Sequence, residues 1–344
     1  MIRLSPILVL IVATAALGQD SKPQPKAKIP AKPRIAINDP EKLKGDKDFA
    51  IQGEYAGFSG ASNKDKKAGG IHLVAMGEGE FDMKFYEGGL PGDGWDGSKP
   101  QSTLARRGER EGSTTIQVQN DGKWTDFAMI EGGTKIETLV SRHEKVHRKS
   151  KTLGAKLPEG AIVLFEKAGD ESKWTGGKLV ELSDGKFLGV GTKSKQAFGS
   201  FTAHVEFRLP WMPNGRGQGR GNSGVYLQDR YEVQVLDSFG LKGLNNECGG
   251  IYTQHAPKVN MCYPPMAWQT YDIDFTAATF DSDGKKSKPA RTTIKHNGVV
   301  IHDNVELKEP TGGGQPESSM PGPIQLQNHG DPVVYRNVWV VEKK

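Results

Sequence analysis

Apolar and polar residues alternate along residues 201–209, Phe-Thr-Ala-His-Val-Glu-Phe-Arg-Leu. Because successive side chains of a β-strand point to opposite faces, this pattern predicts a strand with one packed face and one polar face. Similar short segments follow, and Asn297-Gly298 between two of them is a dipeptide preferred in two-residue hairpins. Many short strands separated by turn residues predict an all-β chain whose C-terminal half is a two-sheet jelly-roll sandwich.

Four smaller segments are predicted ahead of this sandwich. Residues 1–18 combine a basic residue, an apolar run and small residues, which indicates a cleaved signal peptide and a secreted or periplasmic protein without a transmembrane anchor. Residues 19–38 are rich in Pro and Lys and predict a disordered linker. Alternating segments and Gly-rich turns predict a small β domain at 39–135, followed by a basic connector at 136–154 and the sandwich at 155–344.

The positive charge of the chain is concentrated in the linker. The formal net charge is +5, and five cationic side chains lie within residues 22–34. A nucleic-acid site needs Lys and Arg clustered on a folded face. The charge pattern therefore predicts no nucleic-acid partner.

Two cysteines, Cys248 and Cys262, lie close together in the sequence. In an exported protein they can form a disulfide, whereas two separate buried thiols are the other interpretation. The sequence leaves this choice open, because bonding depends on geometry.

His143-Glu144-Lys145-Val146-His147 matches the H-E-x-x-H pattern, in which a helix presents two zinc ligands. Its neighbours in residues 141–151 are almost wholly polar and cationic, so they lack an apolar stripe to bury such a helix. Positive neighbours also oppose a dication. We therefore predict a solvated connector here rather than a zinc site.

Residues 222–237 give the strongest indication of a binding face. If Asp229-Arg230 forms a turn, the flanking strands pair with each other. Alternation then places four polar side chains on one face: Tyr226, Gln228, Glu232 and Gln234. Hydroxyl, amide and carboxyl groups beside an aromatic ring suit a sugar, whereas the alternative is an ordinary solvated sheet face.

Two residues outside this segment are candidates for acid–base chemistry. His329 follows a predicted strand and precedes a glycine, and histidine side chains titrate near neutral pH. Glu247 lies on a loop that leads to a strand. Together with Asp237, these residues could supply ligands to a divalent cation such as calcium, but their spacing demands no metal.

Six motifs in order resemble the 3-keto-disaccharide hydrolase family over residues 160–344. They are Asn222-Ser223-Gly-x-Tyr226-Leu-Gln228-x-Arg230-Tyr-Glu232-Val-Gln234, Glu247-Cys-Gly-x-Ile-Tyr252, Trp268-Gln269-x-Tyr271-Asp272, His296-Asn297-Gly298, Gly322-Pro-Ile-x-Leu-Gln327-x-His329-Gly330 and Tyr335-Arg336-Asn337-Val-Trp339. The resemblance implies a concanavalin-like sandwich that cleaves a carbohydrate substrate, a glycoside oxidised at C3. It also implies an upstream sugar 3-oxidoreductase as a partner, and it covers none of the N-terminal domain.

The predicted site departs from that of laminarinase-like glucanases, whose catalytic strand resembles E-x-D-x-x-E. Here Gln234 stands in place of the middle carboxylate, and double displacement needs two carboxyl groups about 5 Å apart. A 3-keto sugar allows another route, in which a base removes the C2 proton, the C1 leaving group departs and water adds back.

For this reaction we predict Glu232 or His329 as the base and Glu247 as the acid. The predicted substrate-binding residues are Asn222, Tyr226, Gln228, Gln234, Asp237, Tyr252, Gln327 and Arg336. The alternative function is a non-catalytic, lectin-like module, because the same fold serves both purposes.

Overall fold

The computed structural model describes residues 34–60 and 64–343. The predicted signal peptide and most of the predicted linker lie outside these residues. The last linker residues contact the sandwich, where Ile37 and Trp211 exchange two backbone hydrogen bonds of 2.7 and 3.0 Å. No helix in the described part of the chain has the length and apolar character needed to span a membrane.

Eight antiparallel strands form a closed barrel in the N-terminal half. A 3-10 helix (Pro40–Leu43) and a short α-helix (α1, Lys47–Ile51) precede them. The barrel strands are β1 (Gly53–Ser59), β2 (Lys67–Gly77), β3 (Glu80–Glu87), β4 (Gln101–Arg110), β5 (Ser113–Asn120), β6 (Lys123–Glu131), β7 (Lys135–Glu137) and β8 (Ser141–Val146). Apolar side chains such as Tyr55 and Phe81 fill the interior, and Trp211 of the sandwich joins the same core cluster.

The strand that closes the barrel, β8, lies in the segment that we predicted to be a solvated connector. It pairs with β1 and β7, and the side chain of His143 is buried while Arg142 is exposed. At the seam, a Cβ atom on Gly57 would lie 2.0 Å from the carbonyl oxygen of Arg142, so close pairing requires glycine. The connector prediction is corrected for these residues, which form a strand that buries His143 and leaves Arg142 and Glu144 exposed.

The C-terminal half confirms the predicted two-sheet sandwich. Its strands are β9 (Ile162–Phe165), β10 (Trp174–Thr175), β11 (Leu179–Leu182), β12 (Gly185–Leu188), β13 (Thr192–Phe198), β14 (Phe201–Arg208), β15 (Ser223–Leu227), β16 (Tyr231–Val235), β17 (Trp268–Thr276), β18 (Thr279–Phe280), β19 (Lys286–Lys288), β20 (Ala290–His296), β21 (Val299–Leu307), β22 (Gly322–Leu326) and β23 (Val334–Glu342). Two 3-10 helices, Asp170–Lys173 and Gly217–Gly219, lie in the loops.

The sandwich strands form two main sheets. One has five strands in the order β10-β13-β22-β15-β16, and the other has the order β11-β12-β23-β14-β17-β20-β21 with β9 added beside β23. Strands β18 and β19 pair separately. Apolar side chains from both sheets, including Phe207, Val233 and Tyr335, form one buried core.

Cys248 and Cys262 are free thiols buried in this core, so the structure favours the second of the two interpretations. Cys248 Sγ lies 3.2 Å from the Tyr271 hydroxyl, which in turn donates a hydrogen bond of 2.6 Å to the Gln234 carbonyl oxygen. The thiols therefore lie directly beneath the strand that carries the candidate site.

A buried ionic cluster joins the barrel to the sandwich. Arg148 donates hydrogen bonds to both carboxylate oxygens of Glu54, and His72 Nε2 lies 3.1 Å from the same carboxylate. Burial alone would raise the pKa of Glu54, but the bonds from Arg148 and His72 outweigh it and lower this pKa. The His72 ring stacks on Phe239 of the sandwich with the ring centroids 4.5 Å apart.

Candidate functional site

The site is built on the hairpin of β15 and β16. Its turn contains Gln228 and Asp229 at φ values of 54° and 59°, as a tight turn requires, and the register places Tyr226 opposite Glu232. The intervening Val225 and Val233 belong to the sandwich core. Alternation therefore directs the Tyr226 and Glu232 side chains to the opposite face of the sheet, as the sequence predicted.

Neighbouring segments close around this face. Tyr252 donates its backbone N–H to the Glu232 carbonyl oxygen at 3.1 Å, and Gln327 donates its own to the Gly224 carbonyl oxygen at 2.9 Å. The hydroxyl of Thr311 accepts the Glu232 backbone N–H at 2.8 Å. Together they leave a cleft of about 280 Å³, lined by Gln218, Glu232, Gln234, Tyr252, Gly312, Gly313, Gln327 and His329.

Glu232 lies at the base of the cleft, and its residue surface is only 2% exposed. The Tyr226 hydroxyl lies 3.0 Å from Glu232 Oε2 and can donate a hydrogen bond to it. Burial raises the pKa of Glu232 to about 7, although the bond from Tyr226 opposes the shift. The carboxyl can therefore accept or release a proton near neutral pH.

The glycine opposite this carboxyl makes room for it. A Cβ atom on Gly224 would lie 2.3 Å from Glu232 Oε1, closer than any real contact. A strand interior ordinarily disfavours glycine, so its presence here reflects the close approach of the carboxyl.

Amide side chains surround the carboxyl and are oriented by one another. Gln234 Nε2 donates to Asn222 Oδ1 at 3.0 Å, and Asn222 Nδ2 donates to the carbonyl oxygen of Gln218 at 2.8 Å. Gln327 Nε2 donates to the Tyr226 hydroxyl at 3.1 Å, whereas its buried Oε1 has no hydrogen-bond partner among the described residues. This acceptor, together with the amides, can bind hydroxyl groups of a ligand.

His329 and Tyr252 form the outer part of the cleft. His329 is exposed at the rim, two residues beyond Gln327, and Tyr252 is half-buried. The arrangement thus combines a buried acid–base group, an exposed imidazole, an aromatic ring and several amides.

Two predicted site residues lie outside the cleft because they hydrogen-bond to their own surroundings. The Gln228 amide turns away and donates to the carbonyl oxygen of Phe198 at 2.8 Å. Arg336 lies on the other sheet, where its Nε donates to Glu206 Oε2 at 2.8 Å and its guanidinium stacks over Trp268. The prediction that Gln228 shares one face with Glu232 is therefore corrected, as is the prediction that Arg336 lies at the substrate site.

Two predicted carboxylates are also elsewhere. Glu247 Oε2 accepts the backbone N–H groups of Gly243 and Leu244, at 2.6 and 3.0 Å, so it holds its own loop rather than the cleft. Asp237 Oδ2 accepts a hydrogen bond of 2.6 Å from Arg220 Nε. These two and His329 do not converge on a cation, and no group of three or more His, Cys, Asp or Glu side chains in residues 34–60 and 64–343 is placed to hold one.

The sequence analysis missed three residues that line the cleft. Gly312 and Gly313 belong to the glycine run 312–314, and three successive glycines are a signal of close backbone approach that could have identified them. Gln218 carries no comparable signal, since it is one polar residue in the short 3-10 helix Gly217–Gly219.

Comparison with known proteins identifies the relatives of this fold. Residues 160–341, just over half of the chain, match the model of a family described as the 3-keto-alpha-glucoside-1,2-lyase-like domain. The chain belongs to this family. No curated protein matches it. Membership in the 3-keto-glucoside lyase-like family makes the chain a carbohydrate-active, hydrolase-like protein.

Two solved structures from Parabacteroides distasonis, each described as a proposed glycosyl hydrolase, are similar to this chain. The first, at 2.13 Å resolution, is 36% identical, covers 54% of this chain and 85% of its own, and has a TM-score of 0.49. The second, at 1.70 Å resolution, is 16% identical, covers 56% and 93%, and has a TM-score of 0.33.

Proposed function

We propose that this protein cleaves glycosides whose sugar carries a ketone at C3, by elimination across C1 and C2 followed by addition of water. The observation that carries the proposal is Glu232, a buried carboxyl with a pKa of about 7 and no cationic partner among the described residues. A group of this kind is suited to removing a carbon-bound proton near neutral pH. The lyase-like description of the family supports the same chemistry.

The proposed reaction begins at C2, whose hydrogen the neighbouring ketone acidifies. The carboxylate of Glu232 removes this proton and leaves an enolate. The enolate electrons then form the C1–C2 double bond, while the bond from C1 to the leaving oxygen breaks and its electron pair stays on that oxygen. We propose that His329 protonates the leaving oxygen from the rim, after which water adds to C1 and C2 regains a proton.

The remaining cleft residues are proposed to bind the sugar. Gln218, Gln234 and Gln327 can hydrogen-bond its hydroxyls and the enolate oxygen, and the unpartnered Gln327 Oε1 suits a hydroxyl donor. The ring of Tyr252 can pack against the apolar face of the sugar.

The carboxylate content of the cleft favours elimination over double displacement. Among the described residues that line it, Glu232 is the single carboxylate. A retaining glycosidase needs a second carboxyl group about 5 Å away as acid and nucleophile partner. Elimination from a 3-keto sugar needs one carboxylate base, and the ketone supplies the activation.

The test uses nitrophenyl glucosides with and without a ketone at C3. Wild-type protein should release nitrophenol from the 3-keto compounds alone, and deuterium at C2 should slow release if proton removal limits the rate. Glu232→Gln should lower the rate about 10²- to 10⁴-fold, the range for loss of a general base. Glu247→Gln, a carboxylate outside the cleft, is the matched control and should remain within a few-fold of wild type.

An amide-rich cleft also suits a module that binds sugar without reacting. Saturable binding of 3-keto glucosides with no turnover by wild-type protein would establish that function instead. We also propose export through residues 1–18 and an upstream sugar 3-oxidoreductase that supplies the ketone. N-terminal sequencing of the mature protein tests the first, and detection of a 3-keto sugar-forming activity in the source cells tests the second.

A further inference from the structure

The hydroxyl of Tyr226 contacts three polar groups at once. It lies 3.0 Å from Glu232 Oε2 and 2.7 Å from the Gly312 carbonyl oxygen, and it accepts a hydrogen bond of 3.1 Å from Gln327 Nε2. The hydroxyl and the carboxyl are both buried. The positions of the protons in this cluster therefore decide which of the contacts are hydrogen bonds.

Counting hydrogens shows that the contacts depend on the charge of Glu232. A hydroxyl has one hydrogen to donate, and both a carbonyl oxygen and an ionised carboxylate can only accept. When Glu232 is ionised, the Tyr226 hydrogen points to the carboxylate, because charge-assisted hydrogen bonds are the stronger ones. The Gly312 carbonyl then has no donor from Tyr226.

Protonation of Glu232 satisfies every contact. The carboxyl O–H then donates to the Tyr226 oxygen, which also accepts from Gln327, and the Tyr226 hydrogen becomes free for the Gly312 carbonyl. All three contacts of the Tyr226 hydroxyl are then hydrogen bonds with one donor and one acceptor each.

The contact matters because Gly312 begins the glycine run 312–314. The ends of this run are fixed to the hairpin turn by bonds from Thr311 N to the Arg230 oxygen (2.9 Å) and from Gln315 N to the Asp229 oxygen (2.7 Å). Between these anchors, Gly312 and Gly313 are exposed and line the cleft. The Tyr226 hydroxyl is thus a contact that ties the middle of the run to the sheet.

We propose that Tyr226 is a proton-dependent latch, which holds the glycine run over the cleft when Glu232 is protonated and releases it when Glu232 is ionised. Its use in catalysis rests on the proposed function: Glu232 gains its proton from C2, so the latch closes while the enolate is bound. Closure at that moment keeps water from the intermediate until the leaving group has departed. The latch itself is a property of the free protein.

Other titratable side chains lie near the cluster of Tyr226, Glu232 and Gln327. His329 and Tyr252 line the same cleft, and Asp229 at the hairpin turn is paired with Lys193 at 2.6 Å. His329 is the imidazole among these neighbours, and a His329→Gln variant removes it while leaving Glu232 in place.

The test is hydrogen–deuterium exchange of residues 311–316 in the full chain, with protection expressed relative to an unstructured peptide at each pH. Wild-type protection should fall about fivefold between pH 6 and pH 8, the change expected from one hydrogen bond. Tyr226→Phe should show low protection at both pH values. Glu232→Gln should show high protection at both, because the amide donates to the Tyr226 oxygen permanently.

Two controls make the result specific. His329→Gln should keep the step, that is, the fall in protection of residues 311–316 between pH 6 and pH 8. The distant turn at residues 281–285, which is closed by backbone hydrogen bonds of its own, should show no such fall. A wild-type protein without the step, or a Tyr226→Phe variant that retains it, would overturn the latch. Glu232→Gln gives an independent reading if Tyr226→Phe does not fold.

The two proposals can fail separately. If no step occurs but Glu232→Gln abolishes cleavage of 3-keto glucosides, the latch is refuted and the proposed function stands. If the step occurs and no 3-keto glucoside is cleaved, the latch stands at a binding site and the proposed function is refuted.

Discussion

Replacing Gly224 by alanine is expected to displace the carboxyl of Glu232 while leaving the sandwich folded. The added Cβ would lie 2.3 Å from Glu232 Oε1 and 2.9 Å from its Cδ, whereas ordinary contact begins at 3.4 Å. The carboxylate oxygen must therefore move by roughly 1 Å, and a misplacement of that size can cost about 10²-fold in rate. We expect kcat on a 3-keto nitrophenyl glucoside to fall by about this factor, with a smaller change in KM.

The assay is nitrophenol release across a range of substrate concentrations, accompanied by thermal unfolding of each variant. Gly199→Ala is the matched control, because a Cβ at that position meets nothing within 4 Å. It should retain wild-type kinetics. A Gly224→Ala variant that is folded and has wild-type kcat would refute the reasoning that the position of the Glu232 carboxyl limits the reaction.

Three further predictions concern stability, each measured by urea denaturation. Hydrogen bonds from His204, Asn337 and Arg336 outweigh burial and lower the pKa of Glu206 from 4.5 to about 2. The lowered pKa stabilises the folded protein above pH 4.5, and this stabilisation is lost as the pH falls toward 2. The free energy of unfolding of the wild type relative to Glu206→Gln should therefore fall by about 3 kcal/mol over that range. The pH dependence of stability is opposite for Glu232, because its pKa is raised to about 7. The stability that its protonated form allows below pH 4.5 is lost as the pH rises through 7. Relative to Glu232→Gln, the wild type should lose about 3 kcal/mol between pH 4.5 and 8, and equal slopes would contradict the shift. Gly57→Ala should destabilise the barrel by about 3 kcal/mol, because its Cβ would overlap the seam opposite β8.

Local pattern was sufficient to predict the sandwich and the hairpin that carries the site. Alternation in residues 222–237 indicated one face for Tyr226 and Glu232. The structure sets them opposite each other because Leu227 pairs with Tyr231, so the loop has three residues, 228–230, rather than the predicted two. No comparable rule predicts the fate of Gln228, since a turn residue in the left-handed region has no fixed face.

The other differences between the predicted and the observed positions of residues arise from contacts that the local sequence pattern does not show. Glu247 was expected in the cleft because it precedes a strand, but nearby backbone N–H groups use its carboxylate. Arg336 belongs to the other sheet, which only the strand order reveals. Strand β8 looked solvated because its charged residues face water, while the partner that closes the seam, Gly57, lies more than eighty residues earlier.

Three buried glutamates of this chain show why one of them is the functional candidate. Glu54 and Glu206 each accept hydrogen bonds from an arginine, Arg148 and Arg336, and the pKa of each is lowered. Glu232 is as deeply buried but has a neutral hydroxyl as its partner, so its ionised form is disfavoured and its pKa rises. A pairing cation would stabilise the folded protein but would also abolish basicity near pH 7. The loss of about 3 kcal/mol at high pH is a large fraction of the 5–15 kcal/mol typical of a domain. Of the three carboxyls, Glu232 is thus the one whose ionisation destabilises the folded protein and the one that can exchange a proton with a substrate near pH 7.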